Sequence, residues 1–148
     1  MYKESSYTGG SLMRFGRVEI KEDLSYTRDH FWLKGGNDAF ILGWTDYMQH
    51  TVGEIMYVEL IPPGTRLKKG DEFGTIETGK WVGKLHSPVS GRVSEVNQEV
   101  LANPGLVCEA PYYDGWFIKL TDINEKGPFL TPEEYLDYLR SQEGFYPE

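Results

Sequence analysis

Lys80 is the residue of this chain best placed to carry chemistry, because it lies at the centre of a predicted β-hairpin. Two segments typical of strands, 70–76 and 82–91, flank the run 77–81, in which glycine directly precedes the lysine. A lysine at a tight turn presents an accessible amine that can be modified, and two strands hold that amine in place. The pattern therefore indicates a carrier, in which a group attached to Lys80 swings from a rigid turn.

Composition is consistent with one modest domain that meets other proteins. The chain has 148 residues, of which 39% are hydrophobic, enough for a packed core. The formal net charge of −8 argues against a nucleic-acid partner, whose phosphates it would repel. A single cysteine, Cys108, excludes an internal disulfide. No apolar run approaches membrane-spanning length and the N-terminus lacks an apolar signal core, so we expect a cytoplasmic protein with no membrane partner.

The elements that must position the lysine are mostly short strands. Residues 1–16 have no clean period and are expected to form a flexible N-terminal extension, followed by the carrier domain at 17–148. Strands are predicted at 31–34, 39–44, 54–60, 91–97 and 116–120.

Two helices and one long loop complete the predicted elements. Thr45 is expected to cap a short helix over 46–51, which Gly53 ends. A capping box that begins at Thr131 predicts a C-terminal helix over 132–142. The segment 98–114 is expected to be a loop.

Several blocks of residues occur in an order typical of one known family. They are Tyr26, His30 and Trp32; Gly43-Trp44-Thr45-Asp46-Tyr47; Gly53-Glu54; Val58-Glu59-Leu60; Gly70-Asp71-Glu72-Phe73-Gly74; Glu77 and Lys80; Ser87-Pro88-Val89-Ser90-Gly91; Glu95-Val96-Asn97; Asn103-Pro104; and Gly115-Trp116. Over residues 24–139 the chain resembles the H protein of the glycine cleavage system. The resemblance implies a mainly β, hybrid barrel-sandwich fold of the lipoyl/biotinyl-carrier type, with lipoate bound covalently as N6-lipoyl-lysine at Lys80.

The resemblance also implies partners and a role without catalysis. Such a protein accepts an aminomethyl group from glycine decarboxylase and presents it to the aminomethyltransferase. Dihydrolipoamide dehydrogenase reoxidises the arm, and lipoylating enzymes attach it. Biotin is the less expected cargo, because biotin carriers typically flank their lysine with methionines, whereas Gly79 and Trp81 stand here. We find neither a nucleophile with a base nor a metal-ligand spacing, so we expect no enzyme.

Two positions depart from the family pattern. The family holds the amine of its cargo with a glutamate directly before the tryptophan of the first strand and an aspartate four residues after the lipoyl lysine. Phe31 and Lys84 occupy these positions here, and neither replaces a carboxylate. Trp81 follows the lysine where the family usually has a small residue.

These departures keep a second function open, that of an H-like lipoate-binding protein in a heterodisulfide-reductase-like sulfur-oxidation system. Phe31, Trp81 and Lys84 would then line an arm site suited to an apolar ring and a sulfur or anionic cargo. In the simpler alternative, Phe31 is a core residue and Lys84 a solvated strand residue. His30 is a further arm-cleft candidate, with a packed histidine as its alternative.

Overall fold

The computed structural model describes residues 11–36 and 38–142. Eleven strands lie in these ranges, and their sheets are antiparallel throughout. In chain order the strands are β1 (Leu12–Phe15), β2 (Val18–Lys21), β3 (Ser25–Tyr26), β4 (Phe31–Gly35), β5 (Phe40–Trp44), β6 (Ile55–Leu60), β7 (Arg66–Leu67), β8 (Glu72–Thr78), β9 (Val82–His86), β10 (Ser90–Val96) and β11 (Ile118–Glu125).

Short helices connect or cover the strands. A 3₁₀ turn at Asp46–Met48 leads directly into the first α-helix. The α-helices are α1 (Gln49–Val52), α2 (Gln98–Ala102), α3 (Leu106–Glu109) and α4 (Pro132–Ser141). The chain is thus mainly β, and the predicted short helix and C-terminal helix are both present, together with α2 and α3.

Three sheets build the architecture. β1 and β2 form a hairpin, β3-β4-β5-β11-β10-β7 form a six-stranded sheet, and β6-β8-β9 form a three-stranded sheet. The main core takes buried side chains from both larger sheets, for example Leu42 and Ile118 from one and Phe73 and Ile76 from the other. The two sheets therefore pack against each other as a sandwich, and the predicted lysine hairpin is β8 and β9 of the smaller sheet.

A second core lies under the C-terminal helix. Tyr135 and Leu139 of α4 are fully buried there, together with Val18 and Ile20 of β2 and Trp32 of β4. This core attaches the β1–β2 hairpin and α4 to the six-stranded sheet.

The C-terminal helix begins as the capping box predicts. The N–H of Glu134 donates to the hydroxyl of Thr131, and the N–H of Thr131 donates to the Glu134 carboxylate at 2.8 Å. Pro132 occupies the first turn, where no intrahelical N–H is needed.

Thr45 occupies the predicted N-cap position, but the structure corrects the expected role of its side chain. The predicted helix is present as the 3₁₀ turn and α1, and Gly53 ends it with φ of 77°. Thr45, however, makes no side-chain capping bond. Its hydroxyl lies 2.6 Å from the phenolic oxygen of Tyr135, because the second core brings α4 against this turn.

The prediction of a loop over 98–114 was wrong. The segment contains α2 and α3, and the side chain of Asn97 accepts from the N–H of Glu99 at 3.0 Å as the N-cap of α2. In the sequence, Asn97 is the last residue of the alternating pattern that predicts the strand over 91–97. For this reason the sequence did not indicate that Asn97 is also the N-cap of a helix.

The sequence also placed the first strand after residue 16, whereas β1 lies before it. Leu12 to Phe15 pair with β2, and Met13 and Phe15 pack on the second core. Residues 1–10 of the expected flexible extension lie outside the described residues, so the boundary at 16/17 stays a prediction.

Candidate functional site

Lys80 lies at the tip of the β8–β9 hairpin and is exposed. Glu77 is the register partner of Val82, and the N–H of Thr78 donates to the carbonyl of Trp81 at 2.9 Å. Gly79 and Lys80 are thus the two residues of the turn. The hairpin that the sequence predicts around this lysine is confirmed.

The hydroxyl of Thr78 holds the turn. The backbone N–H groups of Lys80 and Trp81 both donate to it, each at 3.2 Å. Thr78 itself is only 6% exposed, so its position is fixed by packing at the end of β8. This threonine fixes the backbone of the lysine, and the sequence analysis did not single it out. The sequence feature that could have indicated its role is a hydroxyl residue two positions before the turn lysine. At such positions the hydroxyl can accept hydrogen bonds from the N–H groups that follow it.

The amine of Lys80 is available for modification. In the part of the chain that the structure describes, no ion pair involves it. An exposed lysine on a fixed backbone fits the attachment of a covalent arm, since the attaching enzyme meets one defined shape and an unobstructed nucleophile.

Two exposed hydrophobic side chains, Tyr57 and Val82, flank Glu77 on the outward face of this sheet close to the lysine. Tyr57, Glu77 and Val82 are register partners across β6, β8 and β9, so their side chains share a face. Tyr57 is 61% exposed and Val82 is 65% exposed. An enzyme that processes a group on Lys80 would meet this row.

Trp81 and Lys84 lie on opposite sides of the hairpin. The indole of Trp81 lies against Gly83, which is the register partner of the buried Ile76. Lys84 is one residue further along β9 and therefore points to the opposite face, where its amine lies 3.5 Å from the Glu72 carboxylate. The environment of Lys84 is that of a solvated strand residue.

Phe31 is 3% exposed and belongs to the main core. The centre of its ring lies 5.8 Å from that of Phe73, a β8 residue of the facing sheet. Its surroundings are those of the core alternative. The structure does not bring Phe31, Trp81 and Lys84 onto one surface, and contact of any of them with an arm stays a prediction.

His30 is packed beneath the C-terminal helix. Its Nδ1 lies 2.9 Å from the phenolic oxygen of Tyr135, and its ring stacks on Tyr47 with centres 4.1 Å apart. Burial lowers the pKa of His30 to about 4, because a protonated ring would lose its hydration there. These contacts are those of a packed histidine, and its contact with an arm also stays a prediction.

Other reactive side chains do not form a site. Burial, followed by the nearby carboxylates of Asp46 and Glu109, raises the pKa of the Cys108 thiol to about 11, so this thiol is not activated. In residues 11–36 and 38–142, no group of three or more His, Cys, Asp or Glu side chains could hold a metal ion. No helix within those ranges is long and apolar enough to cross a membrane.

Comparison with known proteins gives a consistent picture. The family model described as glycine cleavage H-protein matches residues 24–142. A glycine cleavage system H protein of Carboxydothermus hydrogenoformans is 42% identical over 127 residues, which cover 84% of this chain and 97% of that protein. Another from Rubrobacter xylanophilus is 42% identical over 126 residues, covering 85% of this chain and 99% of the relative.

A solved structure agrees with the fold. The crystal structure of a glycine cleavage system H protein from Mycobacterium marinum superposes with a TM-score of 0.75 at 29% sequence identity. The superposition covers 82% of this chain and 99% of the Mycobacterium marinum chain. The predicted barrel-sandwich fold of the lipoyl-carrier type is thereby confirmed.

Proposed function

Because the chain belongs to the glycine cleavage H-protein family, whose members carry lipoate, we propose that the amine of Lys80 bears the lipoyl group. The observation that carries this proposal is the geometry of the hairpin tip. Lys80 is exposed on a two-residue turn whose backbone is held by the buried hydroxyl of Thr78. The modified side chain would thus have a fixed base and a mobile end.

The chain's own residues supply attachment and presentation. When bound, the lipoyl group supplies a two-electron disulfide that can be opened and closed again. The β8–β9 hairpin anchors it, and the tether raises its effective concentration at each partner's active site. The protein is therefore a non-catalytic component, and the active sites are those of its partners.

We assign the partners of the family to this chain. Glycine decarboxylase would load an aminomethyl group, the aminomethyltransferase would remove it, and dihydrolipoamide dehydrogenase would reoxidise the arm. The exposed side chains of Tyr57 and Val82, on either side of Glu77 near Lys80, support such visits, since exposed apolar side chains favour protein contacts. A cytoplasmic location stays a prediction.

The sulfur-oxidation alternative gains no support from the relatives reported above, each of which is named a glycine cleavage system H protein. The environments of Phe31 and Lys84 do not favour it either, because one is in the core and the other pairs with Glu72.

Lipoylation is tested by intact mass after co-expression with lipoylating enzymes. We expect one lipoyl increment in the unchanged protein and none in Lys80→Arg, which keeps the charge. Lys84→Arg is the matched control, because Lys84 is an exposed lysine of the same hairpin, and it should keep the increment. An increment that survives Lys80→Arg would refute the assignment.

The glycine cleavage role is tested by exchange of labelled bicarbonate into glycine with glycine decarboxylase. The lipoylated protein should support exchange, and the unmodified protein should not. A fully lipoylated protein that supports no exchange would refute this role while leaving the lipoyl carrier intact.

A further inference from the structure

The indole of Trp81 has an unusual position for a side chain next to a modifiable lysine. Trp81 follows Lys80 directly and remains 38% exposed. Its benzo ring lies over the bare backbone of Gly83, since a Cβ at Gly83 would come within 2.1 Å of Cζ3 of the indole. The absence of a side chain at residue 83 thus makes room for the ring.

The register places this ring on the core-facing side of the sheet. Gly83 is the partner of Ile76, which in turn is the partner of Val58. Ile76 and Val58 are buried, at 0% and 6% exposure. The indole therefore lies on the same face of the sheet as the buried side chains of Ile76 and Val58. The exposed side chains of Val82 and Lys84 lie on the opposite face of β9.

The backbone that carries the indole is fixed. The N–H of Trp81 donates to Thr78, and its carbonyl accepts from the N–H of Thr78 at 2.9 Å. A partly exposed aromatic plate with a fixed base is a suitable contact for a flexible apolar body, and sulfur makes favourable contacts with aromatic rings.

We infer that the indole of Trp81, seated on Gly83, is the resting platform of the dithiolane arm carried by Lys80. The inference rests on the proposed lipoylation of Lys80. It separates Trp81 from the other arm-cleft candidates, because Lys84 faces the opposite side and Phe31 is in the core. In the resting state the ring of the arm packs on the indole, and a partner enzyme draws it away.

Fluorescence of the protein lipoylated at Lys80 reads this contact without any enzyme activity. A disulfide quenches indole emission at contact, and reduction to the dithiol removes the quencher. The emission of Trp81 is obtained as the difference between the protein and its Trp81→Phe variant. We expect lipoylation to lower this emission by about half or more. The measured emission is an average over docked and undocked arms, and the docked, quenched state is populated most of the time. Reduction should restore the emission.

Two glycine variants flank the lysine and form a matched pair. In Gly83→Ala the new Cβ displaces the indole, so quenching of Trp81 should fall by about half or more as the docked population falls. In Gly79→Ala no atom of the described residues comes within 4 Å of the new Cβ, so quenching should persist. Equal quenching in the two variants would overturn the platform, as would unchanged Trp81 emission on lipoylation.

A second measurement covers the case in which Gly83→Ala does not fold. The rate at which a water-soluble phosphine reduces the arm should rise about twofold or more in Trp81→Ala, since an undocked disulfide is more accessible. Val82→Ala removes an exposed apolar side chain from the opposite face and should leave the rate unchanged. Equal rates in the unchanged protein and Trp81→Ala would overturn the inference.

Intact mass separates the two proposals. A protein with the lipoyl increment on Lys80 but no Trp81 contact refutes only the platform. A protein with no increment refutes the carrier assignment itself.

Discussion

The phenolic oxygen of Tyr135 lies 2.9 Å from Nδ1 of His30, which ties helix α4 to the residue that precedes strand β4. The same oxygen lies 2.6 Å from the hydroxyl of Thr45. His30 holds this position with φ of 70°, a left-handed conformation that few side chains other than Asn, Asp and His adopt readily. The Tyr135 hydroxyl therefore joins the C-terminal helix to two other segments of the chain through two polar contacts.

The buried position of His30 predicts a loss of stability in mild acid. The pKa of His30 is about 4 in the folded protein and near 6.5 when unfolded. Between these values the unfolded state binds more protons, so the free energy of unfolding falls as the pH falls from 6.5 towards 4. Each pKa unit is worth about 1.4 kcal/mol, so the difference between the two pKa values gives a loss on the order of 3 kcal/mol.

Urea unfolding of the protein and His30→Asn, compared at several pH values, measures this loss. Asparagine tolerates the left-handed backbone and does not titrate, so the variant should lack this part of the pH dependence. The phenols of Tyr47 and Tyr135 have pKa values raised by burial and stay neutral in this window. The same pH dependence in both proteins would contradict the prediction.

The turn at Lys80 should depend on the hydroxyl of Thr78. Thr78→Val removes the acceptor of two N–H groups, at a cost of about 1–2 kcal/mol in the free energy of unfolding. We expect faster hydrogen exchange at the Lys80 and Trp81 amides, measured by NMR, together with slower lipoylation. Thr78→Ser keeps the hydroxyl and is the control. Equal exchange in the Val and Ser variants would show that the hydroxyl does not hold the turn.

Gly43 should tolerate no side chain. A Cβ there would lie 2.6 Å from the indole of Trp32, which is 2% exposed and donates through Nε1 to the carbonyl of Pro111 at 2.8 Å. Because this indole cannot move, Gly43→Ala should lower the free energy of unfolding by about 2 kcal/mol or more. In Gly36→Ala no atom of the described residues comes within 4 Å of the new Cβ, so the midpoint of thermal unfolding should stay unchanged, whereas that of Gly43→Ala should fall. Similar midpoints for the two variants would contradict the argument.

Asn97 should be among the costliest polar residues to remove. Its amide donates to the carbonyls of Asp114 and Trp116, each at 2.8 Å, and its oxygen caps α2. Asn97 is 3% exposed, and Asn97→Ala removes all three of these bonds at once, so we expect a loss of more than about 2 kcal/mol by denaturant unfolding. Asn103→Ala, at an exposed position near the end of α2, should cost little. A small effect at Asn97 would mean that water replaces its bonds.

The lysine hairpin could be predicted from sequence because its signals are local. A two-residue turn with glycine, flanked by strand-forming segments, needs no distant contact to be recognised around Lys80. The same holds for the capping box at Thr131, whose two bonds span three residues. Helix α2 was missed because its cap, Asn97, also fits the end of a strand, and its amide bonds residues far along the chain.

The surroundings of the lysine were decided only by the tertiary structure. Phe31, Trp81 and Lys84 are equivalent as candidates in the sequence, but strand register and sheet packing separate them. Phe31 packs against Phe73 of the facing sheet, and Lys84 turns outward to Glu72. Trp81 keeps an exposed ring beside Lys80 because Gly83 lacks a side chain. Alternation along a strand fixes which residues share a face, but only the packing of the two sheets fixes which face is buried.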